Sequence, residues 1–376
     1  MAAGWAQQWN RLGLLVLAVG GALASVVDHV SAQQIAPDAT LPQNSTVTSI
    51  DNNFTITGGT QVGGNLFHSF SQFSVPTGGE AFFNNALTVQ NIINRVTGSS
   101  ISNINGLLRA NGSANVFLLN PNGIIFGPNA SLNIGGSFLA TTASSLNFAD
   151  GTQFSAVNPQ AQPLLTISVP LGLQFGSNPG SITNSSRVSN SSGEIVGLSV
   201  QPTATLALVG GEVAVAGGHL TSLGGRVELG SVAANNTVSL TPTNPGWLLG
   251  YQGISNFQNV RLTDGANIAV NGDGRGSIAI NGSNIDILSR SNLRAGINGG
   301  SQFSGTQAGD ITLNASGIVS VDNGIIANDV GGIGNGGKIA IDAAKVSVLN
   351  GATITAHTNG QGNAGSIAMT ASDDIS

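Results

Sequence analysis

Four short segments of the chain share one pattern: a glycine, a polar residue, then isoleucine, a small residue and a further apolar residue. They are Gly276-Ser277-Ile278-Ala279-Ile280, Gly309-Asp310-Ile311-Thr312-Leu313, Gly337-Lys338-Ile339-Ala340-Ile341 and Gly365-Ser366-Ile367-Ala368-Met369. The last three begin 28 residues apart, at 309, 337 and 365. The first begins 33 residues before the second, which implies an insertion of about five residues in the stretch NGGSQFSGTQ, 298–307. Each unit holds three apolar alternations, such as Ile339-Ala340-Ile341, Val346-Ser347-Val348 and Ile354 with Ala356, bounded by Gly, Asn or Asp. Alternation with period two reads as strand, and three short strands per unit make one turn of a three-faced parallel β-helix. A single coil cannot bury its apolar side chains, whereas stacked coils can. The pattern therefore predicts Ile311, Ile339 and Ile367 as interior rungs of one column, about 4.8 Å apart. On the outside it places Asp310 beside Lys338, Asp322 on Asn350 and Asp329 near His357.

Composition narrows the surface of such a fold. Charged residues are 7% of the chain, whereas an ordinary domain has about a quarter. Hydrophobic residues are 40%, which argues against disorder. The outside of the helix is thus expected to carry Ser, Thr, Asn and Gly. A net charge of −6 and a pI near 5.0 argue against a nucleic-acid partner, which would need a basic face. The absence of cysteine excludes a disulfide framework and a thiolate metal site.

The N-terminal half has a different texture. From residue 114 the chain reads ANVFLLNPNGIIFGPNASLNIGGSFL, three apolar runs cut by two turns. Pro121 has its φ fixed near the value the second turn position requires, Asn120 can bond the backbone two residues on, and Gly123 tolerates the exit geometry. TVTSI, NFTITGG, LFHSFSQF and EAFFNNALTV also read as strands, while NIINRV is ambiguous between strand and short helix. Twelve of the 14 phenylalanines lie between Phe54 and Phe175. That density predicts a thicker, capped core there. The polar run from Ser177 to Ser192 reads as a loop or an excursion from the helix.

The runs Phe67–Phe73 (FHSFSQF), Phe83–Asn85 (FNN), Arg95–Gly98 (RVTG) and Asn120–Gly127 (NPNGIIFG) occur in the order seen in the secretion domain of filamentous haemagglutinin-like two-partner-secretion exoproteins. The chain resembles the cyanobacterial-type branch of that family over roughly Gln33 to Gly176. It has no Asn-Pro-Asn-Leu between Ala86 and Val96, where the family carries a second named motif. The resemblance implies an all-β, right-handed parallel β-helix with an N-terminal cap and small extrahelical β elements, and parallel crossovers independently favour that hand. It also implies a partner: an outer-membrane two-partner-secretion transporter with periplasmic recognition domains. The secretion-motif turn is Asn120, Pro121, Asn122, Gly123 and Ile124, with Arg95 as a candidate recognition charge.

Residues 1–32 read as an export signal. Arg11 precedes an apolar core of sixteen residues, Leu12 to Val27, and Val30-Ser31-Ala32 offers small residues for cleavage after Ala32. The expected organisation is signal peptide 1–32, secretion domain 33–178, β-helix continuation 179–265, and β-helix with repeats of about 28 residues over 266–376. The chain stops part-way through a repeat with no visible cap, and a fragment of a longer protein is expected.

No chemistry-bearing constellation stands out. Gly332 to Gly337 satisfies a nucleotide-binding glycine pattern but precedes a strand, and it lacks the Asp of a calcium nonapeptide. The four histidines are dispersed, and the 17 acidic residues occupy no matching positions in three repeats. No catalytic residue, cofactor, metal site or small-molecule substrate is expected. The function expected is that of a secreted or cell-surface exoprotein with an adhesin-like role, which reaches its site through the periplasm and outer membrane. Its receptor would be on a host cell, a glycan or a neighbouring cell. A structural sheath or S-layer-like protein is the alternative, and a polysaccharide-acting β-helix enzyme a more distant one.

Overall fold

The computed structural model describes residues 34–159, 165–301 and 306–376. The export signal, with Arg11 and Ala32, lies outside the described residues. All regular elements among the described residues are strands. Three stacks of parallel strands make the faces of a β-helix.

The first face runs through Asn65–Phe73, Asn91–Val96, Asn115–Leu119, Phe138–Thr141, Thr205–Gly210, Arg226–Ser231, Ser277–Gly282 and Ile311–Ala315, and on into Lys338–Leu349 and Ser366–Ile375. The second includes Ser102–Ile104, Ile124–Phe126, Ile182–Asn184, Val213–Ala216, Val260–Thr263, Ile285–Leu288 and Ile318–Asp322. Because Lys338–Leu349 turns the corner and pairs on both faces, these strands count as one 19-stranded sheet. The third face is split into a five-stranded and a six-stranded sheet. NIINRV is a strand, buried along its whole length. Ile182–Asn184, inside the polar run expected to be a loop or excursion, is a rung of the second face between Ile124–Phe126 and Val213–Ala216. Three residues suffice for a rung when neighbours on both sides supply its hydrogen bonds.

The column of isoleucines is in register. Ile278 faces Ile311, Ile311 faces Ile339, and Ile339 faces Ile367. The same column continues back through Val227, Leu206, Phe138, Val116 and Ile92 to Leu66. Ile311 and Ile339 are fully buried, but Ile367, on the last coil of this chain, is 44% exposed because no further coil covers it. The offset between coils is 33 at Ile297 and Val330 and 28 at Gln307 and Asn335, which places the extra residues between Ile297 and Gln307.

The outer ladders pair the expected residues. Asn350 donates to Asp322 at 2.8 Å, and His357 Nδ1 lies 2.9 Å from Asp329. Asp310 accepts from the backbone N–H of Lys338 at 2.7 Å, with no bond between the two side chains.

Two further elements complete the fold. At the N-terminal end Ile35–Pro37 and Thr60–Val62 pair antiparallel with Asn65–Phe73, and Ser45–Ile50 pairs antiparallel with Asn53–Gly58. These strands cover the first coil, where a bare parallel edge would invite further pairing. Away from the helix axis, Gln153–Ser155, Ser145–Phe148, Pro170–Gln174, Thr237–Pro242 and Trp247–Gly250 form an antiparallel sheet. It covers the outside of the first face, where Phe67, Ile93, Phe117, Leu139 and Ala207 point outward. The phenylalanines therefore divide between two cores. Phe70, Phe73, Phe126 and Phe138 lie inside the helix. Phe67, Phe117, Phe148, Phe154 and Phe175 lie between the helix and the outer sheet. Strands buried on both faces read as continuous apolar runs, which is why NVFLL and TLALVG do not alternate.

Candidate functional site

Three of the four motifs, FHSFSQF, RVTG and NPNGIIFG, meet at one corner of the first coils, where the chain passes from the first face to the second. FNN lies at the third face, where Asn85 bonds Asn111. Asn120 ends the strand Asn115–Leu119 and is fully buried. Its side-chain oxygen accepts from the N–H of Asn122 at 3.0 Å, and its carbonyl accepts from Gly123 N–H at 3.1 Å. The turn is thus closed twice, once by side chain and once by backbone. Asn120 Nδ2 reaches across the corner and donates to the Ser100 carbonyl at 3.0 Å and to Ser102 Oγ at 2.9 Å. Asn122 Nδ2 donates to the carbonyl of Gly98 at 2.7 Å. RVTG and NPNG, 22 residues or more apart along the chain, are therefore bonded to one another as corners of successive coils. Gly123 has a φ of +130°, and a side chain there would press on the Ser181 carbonyl and Ile101. On the next coil Gly180 N–H donates to the Pro121 carbonyl at 2.9 Å, and Ile124 N–H to the Ser181 carbonyl at 3.0 Å. Ile124 itself is buried in the helix core.

Only part of this corner faces solvent. Asn122, Ser99 and Ser100 are exposed, and beside them lie Ile101 and Ile125, 41% and 37% exposed. The accessible rim is therefore amide, hydroxyl and two branched aliphatic side chains.

Arg95, the candidate recognition charge, sits inside the fold. It is 1% exposed. Its Nε donates to Ser69 Oγ at 2.8 Å, Nη2 to Thr40 Oγ1 at 2.7 Å and Nη1 to the Ser155 carbonyl at 2.7 Å. The guanidinium also lies 4.3 Å from the centre of the Phe154 ring. One side chain thus ties the cap, the first coils and the outer sheet together. A five-donor fork suits this task, because its donors spread over three nitrogens, whereas the three donors of lysine share one. Burial lowers the guanidinium to about 10, with the nearby Asp38 pulling the other way, so it stays charged at neutral pH.

Asp38, which sequence reading passed over, completes the knot. It accepts hydrogen bonds from Thr40 at 2.6 Å, Ser69 at 2.7 Å and Thr97 at 2.6 Å. Burial raises its carboxyl pKa, but the bonds from Thr40, Thr97 and Ser69 outweigh that, and the net shift is downward. Thr97 and Arg95 belong to RVTG and Ser69 to FHSFSQF, so two motifs share one polar knot. Their only sequence signal was the grouping of hydroxyls next to a lone charge.

The remaining titratable groups are dispersed. His68 is buried with Nδ1 2.9 Å from Ser45 Oγ, and burial lowers it to about 3, so it is neutral. Among the described residues no three His, Asp or Glu side chains come close enough to hold a metal ion.

The TPS secretion domain family model matches residues 33–280, a span that also includes the outer-sheet strands Thr237–Pro242 and Trp247–Gly250. No curated protein matches the chain. Among solved structures, the HMW1 secretion domain from Haemophilus influenzae is similar with a TM-score of 0.59 and 20% identity, covering 85% of this chain and 73% of that one. A filamentous hemagglutinin secretion domain also matches, with a TM-score of 0.44 and 16% identity over 89% of this chain and 99% of that one.

Proposed function

We propose how a chain that belongs to the TPS secretion domain family, as this one does, reaches and serves its destination. Residues 1–32 direct it to the periplasm. The N-terminal coils are then recognised by an outer-membrane two-partner-secretion transporter through the segment around Asn120, Pro121, Asn122, Gly123 and Ile124. The chain threads outward and coils fold on the far side, each docking on the one before it. Stacking favours forward movement, because every new coil buries an apolar column that it could not bury alone. The mature protein is secreted or held at the cell surface, where the β-helix acts as an adhesin-like rod.

The observation that carries this reading is the bonding of Asn120 and Asn122 to Gly98, Ser100 and Ser102, which joins two motifs at one corner. Asn120 and Arg95 are inaccessible once the coils have formed. Contact with those two groups therefore precedes folding, while the rim of Asn122, Ile101 and Ile125 remains available afterwards. In cells carrying the cognate transporter, Asn120→Ala with Asn122→Ala is expected to reduce surface protein to background while the periplasmic pool persists. Normal surface levels of the double variant would refute the assignment.

A further inference from the structure

Beyond export, we infer that a cleft on the outside of the helix, held by Arg226 and Arg275, binds an oxyanion: a carboxylate, sulfate or phosphate group. The cleft has a volume of about 320 Å³ and lies among the turn after Pro202, the strand start at Arg226, the tip of the outer hairpin at Thr243–Pro245, and the loop that carries Arg275. Its lining supplies two guanidinium groups and the hydroxyls of Thr203, Thr205, Thr243 and Ser277, with no carboxylate. The chain has only 11 Lys and Arg and a net charge of −6, so two arginines sharing an acid-free cleft run against its overall balance.

The Arg275 guanidinium makes no hydrogen bond or ion pair with any other described residue, and it is exposed. Arg226 has one loose neighbour, Glu228 at 3.4 Å. Glu228 is buried beneath the outer hairpin, and burial raises its pKa to about 7, so it competes poorly for Arg226 near neutral pH. The other nearby carboxylate, Asp273, borders an adjoining cavity and accepts a hydrogen bond from Ser301. A planar guanidinium offers paired N–H donors at the spacing of two oxygens of a carboxylate, sulfate or phosphate, and the hydroxyls of Thr203 and Ser277 can donate to the remaining oxygens, while those of Thr205 and Thr243 donate to the Trp247 and Pro245 carbonyls.

The backbone is consistent with a built site. Thr203 and Arg275 both have left-handed φ, +68° and +69°. Among the described residues Thr203 is the one β-branched residue at a non-glycine position in that region of φ, where a branched side chain is strained. Both positions line the one cleft, and strain of this kind concentrates where a side chain must be held for a task.

The test uses the purified full chain and does not depend on the export reading. Sodium sulfate, sodium phosphate, dextran sulfate and uncharged dextran are each titrated at constant ionic strength, with binding followed by calorimetry and by the thermal midpoint. Saturable binding of sulfate or phosphate is expected, with uncharged dextran inert. Arg275→Gln should weaken it at least tenfold, and Arg226→Gln should do the same. Arg275→Lys should fall between wild type and Arg275→Gln, since it keeps the charge and loses the fork. Circular dichroism melts identify any variant that fails to fold, and Arg275→Gln, on an exposed loop, is the decisive one. If dextran sulfate binds far more tightly than free sulfate and loses that gain in Arg275→Gln, the ligand is an anionic polymer. Equal affinity per sulfate group assigns a free anion. No saturable binding of any anionic probe, or equal binding by wild type and Arg275→Gln, would overturn the inference.

Discussion

The early coils and the late coils of this β-helix are the same on the inside and opposite on the outside. The inner column from Leu66 to Ile367 is aliphatic or aromatic at every rung. The matching outward column reads Phe67, Ile93, Phe117, Leu139 and Ala207 in the early coils, then Glu228, Ala279, Thr312, Ala340 and Ala368. The early set is buried under the antiparallel sheet, and the late set from Ala279 onward is partly open to solvent. Stacking needs only the inner column. The outer column is free to vary, and what it carries decides whether a second layer can dock.

The border between the two regimes is Glu228. Its Oε1 accepts from the N–H of Leu249 at 3.4 Å, and Trp247 N–H meets Thr205 Oγ1 at 3.3 Å. Side chains of the helix thus cover the exposed edge of the outer sheet, a use of polar groups that blocks further strand addition. Gly230 makes room for Tyr251, whose hydroxyl would lie 2.0 Å from any added Cβ. The fit is incomplete. Glu228 Oε2, Trp247 Nε1 and Tyr251 Oη are buried without a hydrogen-bond partner, all at this one junction.

The contrast can be tested most strongly on its apolar side. Phe117 packs edge-on against Trp247 at 4.7 Å between the helix and the outer sheet. Phe117→Ala should cost about 3–5 kcal/mol, whereas Thr312→Ala, at the corresponding outward position of a late coil, should change stability by less than about 0.5 kcal/mol. Denaturant unfolding of both variants checks the pair, and equal losses would break the comparison.

The junction itself should respond to pH. Glu228 titrates near 4.5 when unfolded and at about 7 when folded, because burial disfavours its charge. The unfolded chain therefore releases this proton first, and the folded state loses stability as pH rises from about 4.5 to about 7, by on the order of 3 kcal/mol in total. Glu228→Gln should flatten that part of the stability–pH curve, and hydrogen exchange at Trp247–Gly250 should show the change first. An unaltered slope in the variant would remove Glu228 as its source.

The smallest effect belongs to the outer ladders of the late coils. Asp322→Ala removes the 2.8 Å bond from Asn350 and should cost no more than about 1 kcal/mol, measured by thermal unfolding. A larger loss would mean that exposed ladders, and not the inner column alone, hold the late coils together.

Periodicity made the inner column legible in the sequence, because a repeat with three alternations per unit can bury its isoleucines in no other way than by stacking. The same logic located the extra residues between Ile297 and Gln307. The corner at NPNG was legible as a turn, since Pro121 and the asparagines fix it locally, but its bonds to Gly98, Ser100 and Ser102 were not. Those partners lie on another coil, and nothing in the spacing of a single turn names them.

What the amino-acid order determined alone was the short-range part: strand, corner and the interval at which coils repeat. What the tertiary structure decided was every property that depends on a second layer. Arg95 looks like a free charge in the sequence and is a buried tie, and Ile182–Asn184 looks like part of a loop and is a rung. The same holds for Phe117, which belongs to a core outside the helix. The physical reason is that strand alternation says which side of the sheet a residue occupies, while burial on the far side is set by elements such as Trp247–Gly250 that return from more than a hundred residues away.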